Sequence, residues 1–360
     1  MDRSRFLPAD AGHASRLRGT RGLVAILLLL LAGCGEGDSE TLLRDYQQRL
    51  AESLSREVPR RSTPDNIGAF PEHDQRLFEI AGTREGMLDI YALRECHIAN
   101  LVAGRNNQLG MVAAPSQRWL YELELWRRLS SCWNGEVPDA LSDDSRERLA
   151  RLTATKTDQL PRVSWNALFA SEEWVKNFSR ASSPLSPDAL DEVEPRSAAL
   201  SYLREATLHQ FDRDWLADSA TLEGHLKTLQ ERPLSAELLR ALLLAEQRLG
   251  EASTLIEETL EHLDGAACRR AADDLADSPE ATRLAAWLDD LDRAARHWLG
   301  AIDALLEVHV APPPAVTDYR RRWLSLSAPE APLPAFTAAR DHHAALRLRL
   351  ARHCGSATGT

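Results

Sequence analysis

Strand formers are scarce in this chain. Valine and isoleucine together number only eighteen in 360 residues, while leucine and alanine abound. Branched side chains favour the pleated sheet, and leucine and alanine favour the helix. The composition therefore argues against an extended sheet and predicts an all-α fold. A membrane-spanning segment is missing too. The apolar run Gly22–Gly33 is twelve residues long, where a hydrocarbon core needs about 20. Net positive charge is absent: 43 basic residues face 54 acidic ones, for a formal charge of −11. So acidic a chain repels nucleic acid and anionic head groups, and nucleic-acid binding is excluded. Local catalytic signatures are also lacking. No Gly-x-Ser-x-Gly, phosphate loop, His-Glu-x-x-His or Cys-x-x-Cys occurs, so neither a cofactor nor a reaction class is indicated. That lack favours a non-catalytic scaffold, adaptor or binding protein, and an enzyme or ligand-binding protein whose site is assembled from scattered helix residues stays open as the alternative.

What is present begins at the amino terminus. Arg3, Arg5, Arg16, Arg18 and Arg21 precede the apolar run, against only Asp2 and Asp10. A basic region, a short apolar stretch and then small residues read as a secretory signal peptide over 1–33. Leu31-Ala32-Gly33-Cys34 resembles the lipobox of bacterial lipoproteins. That resemblance implies cleavage before Cys34 and acylation of its thiol and its freed amine. Several acyl chains hold a protein far more firmly than one, each buried methylene contributing about 0.8 kcal/mol. Gly35 rather than Asp follows the cysteine, which by the same resemblance implies the periplasmic face of the outer membrane. The expected partners are thus the membrane, through the lipid on Cys34, and a protein of the envelope. Without residues 1–33 the chain has 38 basic and 52 acidic residues, or −14, so its anchor is lipid rather than charge.

Four further cysteines, Cys96, Cys132, Cys268 and Cys354, make two disulfides in an oxidising compartment. Cys96 and Cys132 lie symmetrically about Ala114, next to Pro115-Ser116. A helix running up to that turn and another running back would set the two sulfurs level. Cys268 follows an acidic helix with Glu251, Glu257, Glu258, Glu261 and Asp264. Cys354 follows a basic one with Arg340, Arg347, Arg349 and Arg352. Opposite charge supports that second pairing. An alternative for Cys96 is a thiol–imidazole pair with His97, with which the disulfide competes.

Two apolar seams stand out in the carboxy-terminal half. Leu284, Leu288, Leu291, Ala295, Trp298, Ile302 and Leu305 recur in steps of four and three, after the cap Ser278-Pro279. Leu238, Leu242, Ala245, Leu249, Ala252, Ile256 and Leu263 repeat the pattern. They predict long helices joined through a loop containing Cys268 as an antiparallel hairpin. Further helices are predicted near 39–58, 84–102, 116–133, 145–158, 164–180, 197–211, 219–230 and 334–353. The architecture expected is an elongated bundle of helical hairpins. An anchor-proximal helix (34–58) and a linker (59–75) lead into a helical subdomain over 76–180. A Pro/Ser-rich boundary (181–196) separates it from a second subdomain, 197–360.

Two clusters raise the question of chemistry. His342-His343 with His353 hints at metal, but adjacent helical residues point about 100° apart and the third is ten positions on. The set therefore reads as solvated surface, and no metal site is assigned. Trp119, Trp126 and Trp133 lie seven apart on one helix face. They form either a buried seam or an aromatic platform, and the seam is favoured.

The stretch Leu93–Trp126 carries a pattern. A cysteine on a helix is followed by Arg105-Asn106, Leu109-Gly110, Pro115-Ser116-Gln117 and Tyr121-Glu122. With the lipobox leader and the early "LLRDYQQRL" helix, this resembles an uncharacterised Gram-negative lipoprotein family, domain of unknown function 3080. Asn107 and Gln108 depart from it, standing where small residues are expected. The resemblance brings no activity. Arg105, Asn106, Gln117, Tyr121 and Glu122 are expected to crowd the hairpin tip. They would serve either as a network satisfying the turn or as a small polar pocket for a ligand or partner, and the network is favoured.

Overall fold

Leucine-rich 3.6-residue periodicity and well-formed caps build this molecule almost entirely from helices. The computed structural model describes residues 38–260, 262 and 265–355. The leader expected over 1–33, Cys34, and the positions Glu261, Leu263 and Asp264 lie outside the described residues. Among the described residues there is no strand. The longer helices are α1 (Asp38–Ser53), α2 (Ala99–Asn106), α3 (Pro115–Trp133), α4 (Asp143–Phe169), α5 (Val193–Leu208), α6 (Ser219–Glu231), α7 (Leu234–Leu260), α8 (Gly265–Ala276), α9 (Pro279–Glu307) and α10 (Pro332–Gly355). Proline at the first turn starts α3 and α9, and the side chains of Ser142, Asp218 and Ser278 accept backbone N–H bonds at the starts of α4, α6 and α9. These residues satisfy donors that a helix start would leave bare.

The described residues from Asp38 onward form one compact unit. Its main core takes both predicted seams. Leu238, Leu242, Ala245, Leu249, Ala252 and Ile256 of α7 are buried, as are Leu284, Leu288, Leu291, Trp298, Ile302 and Leu305 of α9. The most extensive packing of α7 is nevertheless against α10, and α9 packs chiefly on α5. Leu346 and Leu350 of α10 are buried in the same core as the α7 seam. Cys268 sits on α8 rather than in a loop, and its disulfide to Cys354 (Cα–Cα 5.0 Å) ties α8 to α10. Among the described residues, none of the arginines expected to attract acidic α7 pairs with it. Glu257 of α7 instead meets His342 of α10, 3.2 Å apart, a contact that is ionic only when the imidazole carries a proton. Arg340 turns instead toward Asp289 and Asp292 of α9.

Several boundaries fall elsewhere than expected. The anchor-proximal helix is not separate: α1 packs on α7, α8 and α9, burying Leu43, Tyr46 and Leu50. The 59–75 stretch is no free linker. Ile67 and Phe70 are buried, and Ser62 bonds Glu251 and Arg248 of α7. Gly68 lies so close to Trp323 that a Cβ would stand 2.6 Å from its indole nitrogen. The Pro/Ser-rich 181–196 stretch joins the core through Leu185, Ala189 and Val193, and the Leu185 N–H donates to Glu237 O. The two helices expected over 145–180 are one through Phe169, running across Pro161, followed by a short turn Glu172–Lys176. An interior proline costs about 3 kcal/mol, here offset by the burial of Leu160, Val163, Trp165, Leu168 and Phe169 on both sides of it. The helix expected over 84–102 is broken. Its pieces are Met87–Ala92, a tight turn Arg94–Cys96 and α2, separated by His97 at φ 56°, a left-handed conformation that ends a right-handed helix.

A second, smaller apolar cluster gathers Ile90, Leu93, Cys96, Ile98, Leu125, Leu129, Cys132, Leu149 and Leu152. The Cys96–Cys132 disulfide (Cα–Cα 5.2 Å) lies within it and ties the tight turn to the end of α3.

Candidate functional site

Between the two apolar clusters lies a cavity of about 890 Å³. Ile90, Ile98, Leu125, Leu129 and Leu152 line it from the smaller cluster, and Val163 and Ala167 from the larger one. Helix α2 and the short helix Gln108–Met111 flank it, α3 and α4 form its walls, and an irregular strap over 77–86 lies across it.

The strap is held by side chains of α4. Asn166 brackets Phe78, accepting from its N–H at 2.9 Å and donating to its carbonyl at 2.8 Å. Gln159 donates to the Ala81 carbonyl at 2.8 Å. Glu85 at the strap's end meets Arg148 and Arg151 at 3.3 and 2.8 Å. Just before it, the buried Trp165 indole donates to Arg76 O, while Arg76 donates to Pro71 O. Backbone with no ladder of its own is thereby satisfied by amide side chains.

At the polar end the buried Lys156 ammonium lies 2.9 Å from Glu122 and 3.4 Å from Gln159 Oε1. A continuous path of polar contacts therefore runs from the strap, through Gln159 and Lys156, to Glu122 on α3. Next to Glu122, burial and then the neighbouring carboxylate push the Tyr121 phenol up to about 12, against the opposing charge of Arg105. The Arg105 guanidinium sits 6.0 Å from the Tyr121 ring and donates to Gly110 O. Gly110 has no room for a side chain: a Cβ would stand 2.4 Å from Gly104 O and 2.5 Å from Arg105 O. The Leu109-Gly110 step thus closes the loop onto the end of α2, and the Asn107 side chain accepts from the Gly110 N–H.

Of the five residues expected at the hairpin tip, Arg105, Asn106, Tyr121 and Glu122 line this cavity. Gln117 is not among its lining residues. It bonds Ser219 and Glu223 of α6, and Ser116 joins it on Glu223, so this pair fastens α3 to α6. Sequence reasoning missed Arg84, Arg118, Lys156, Gln159 and Asn166, which also line the cavity. The i, i+3 spacing of Lys156 and Gln159 places them on one face of α4, yet nothing local marks that face as opposite Glu122.

Other expectations resolve in the core. Cys96 is in a disulfide, which removes the thiol–imidazole alternative. Trp119 and Trp126 are buried in the main cluster, while Trp133 is 38% exposed, so the seam reading holds for the first two. His343 is not solvated surface. It is buried, with Nε2 2.5 Å from the Tyr46 hydroxyl and Nδ1 3.1 Å from Ser253. Burial, with Arg347 and His342 nearby, pushes its imidazole down to about 3. No group of three His, Cys, Asp or Glu among the described residues is placed to hold a metal ion. No described helix is long and apolar enough to cross a membrane.

No curated protein and no solved structure matches this chain. Its pattern does match one family over residues 43–357, which takes in α2, the Gly110 turn, α3, α4 and the whole cavity lining. The chain belongs to the family described as Protein of unknown function (DUF3080).

Proposed function

We propose that this protein is a lipoprotein anchored through acylated Cys34 to the periplasmic face of the outer membrane, and that it acts there as a non-catalytic binding protein. The cavity of about 890 Å³ between the apolar clusters carries the reading. Its size falls within the range of about 300–1,000 Å³ typical of small-molecule sites, and its apolar walls with a few placed polar groups are typical of them too. No serine or cysteine is among its described lining residues, the side chains on which most covalent hydrolysis relies. The leader and Leu31-Ala32-Gly33-Cys34 support the anchor, and the two disulfides agree with an oxidising compartment.

Native mass spectrometry of the full chain released gently from membranes tests the binding role. The expected result is a retained small molecule that disappears in Val102→Trp, which fills the cavity. A mass equal to the lipidated chain alone, with Val102→Trp indistinguishable, refutes it. Membrane fractionation of Cys34→Ala tests the anchor separately, and unchanged sedimentation with membranes refutes that part.

A further inference from the structure

We infer that the cavity takes a single-chain amphiphile with an anionic head, its tail along the apolar wall and its head among the arginines. The inference rests on the binding reading above and names the class of ligand.

Charge is the first observation. Apart from His73, the cavity is lined by four cations, Arg84, Arg105, Arg118 and Lys156, against two carboxylates, Glu85 and Glu122, in a chain whose formal charge is −11. Both carboxylates are already answered, Glu85 by Arg148 and Arg151 and Glu122 by Lys156. Arg84 and Arg118 are exposed and have no acidic partner among the described residues. Arg105 meets only a carbonyl and a ring face. A forked guanidinium suits carboxylate or phosphate oxygens, and a site left cationic inside an acidic protein selects an anion.

The wall is the second. Ile98, Val102, Leu125, Leu129 and Leu152 line the same cavity. An inorganic anion makes no use of them, and a neutral lipid makes no use of the arginines. An alkyl chain ending in a charged group uses both.

The rim is the third. Leu109 and Val112 are each 80% exposed, and Met111, itself a lining residue, is 62% exposed. Met87, Leu88 and Tyr91, flanking the lining residue Ile90, are exposed as well. Exposed apolar side chains concentrated around one cavity mark a surface that meets something apolar.

Photolabelling of the full chain tests this, using a diazirine-bearing hexadecanoate and its neutral methyl ester as probes. The acid is expected to label peptides spanning 98–102 and 125–129 about tenfold more than the ester, the scale of losing a pair of partly exposed ion contacts. Combined Arg84→Glu and Arg118→Glu, at exposed positions on which packing does not depend, is expected to abolish that preference and leave ester labelling intact. Val102→Trp is expected to reduce labelling by both. Equal labelling by acid and ester, or charge reversal without effect, overturns the anionic class while the binding cavity stands. Displacement of the acid by millimolar inorganic phosphate reduces the site to a small-anion site and also overturns it. No cavity labelling by either probe, with no retained ligand in native mass spectrometry, removes the amphiphile and the binding reading together.

Discussion

Removing the Glu122 carboxylate is the most direct probe of how the cavity is held. Lys156 and Glu122 keep only 10% and 19% of their side-chain surface exposed, with the charged atoms 2.9 Å apart. Breaking a fully buried pair by deleting one partner costs about 3–5 kcal/mol, because the other charge is left stranded. Two features lower that figure here. Gln159 Oε1, at 3.4 Å, remains to accept from the ammonium, and part of each side chain reaches solvent. Glu122→Ala is therefore expected to cost about 2–3 kcal/mol, and Lys156→Met somewhat less because Glu122 is the more exposed of the two. The double variant Glu122→Ala with Lys156→Met should cost less than the sum of the singles, since no buried charge is stranded. Urea unfolding of all variants gives the comparison, with midpoints read at constant slope. A second readout follows from the neighbouring phenol. Loss of the Glu122 charge removes one of the two influences that raise Tyr121, so its tyrosinate absorbance should appear at lower pH. Strict additivity of the two singles, or a Glu122→Ala cost below about 0.5 kcal/mol, would show that Lys156 and Glu122 do not act as a buried ion pair.

The remaining predictions concern the loop, the core and the cross-links. Gly110→Ala drives a methyl group into the Gly104 and Arg105 carbonyls, and is expected to cost about 1–3 kcal/mol and to loosen Arg105, seen as faster amide exchange over 104–112. His343, held neutral down to about pH 3, and His309, pushed down by burial to about 4, each take up a proton more readily in the unfolded chain, near the ordinary value of about 6.5. Their contribution to stability is complete above that value and is lost as pH falls toward 4 and then 3, by roughly 1 kcal/mol per pH unit for each. His343→Gln should flatten that slope in acid titrations followed by circular dichroism. Replacing both cysteines of a pair by serine is expected to cost about 4 kcal/mol for Cys96/Cys132 and slightly more for Cys268/Cys354, from sequence separations of 36 and 86. Equal unfolding midpoints with and without reductant would contradict this.

Much of the fold can be read along the chain. The scarcity of valine and isoleucine determines that the body is helical, because leucine and alanine lose least on entering a helix. The periods of 238–256 and 284–305 determine which faces of α7 and α9 are buried, and the two disulfide partnerships are those that symmetry about Ala114 and opposite charge along the chain suggest. Tertiary structure decided the rest. That α7 takes α10 as its main partner, that α1 and the 59–75 stretch belong to the core, and that α4 runs through Pro161 depend on burial by distant segments, which local propensity does not contain. The cavity shows the division most clearly. Arg105, Tyr121 and Glu122 are neighbours along one stretch and were visible as a cluster, whereas Lys156, Gln159, Asn166 and Arg84 reach the same space from another helix and an irregular strap. A site made of side chains brought together across tens of residues has no local period or spacing, so only folding places its cations, its apolar wall and its rim around one volume.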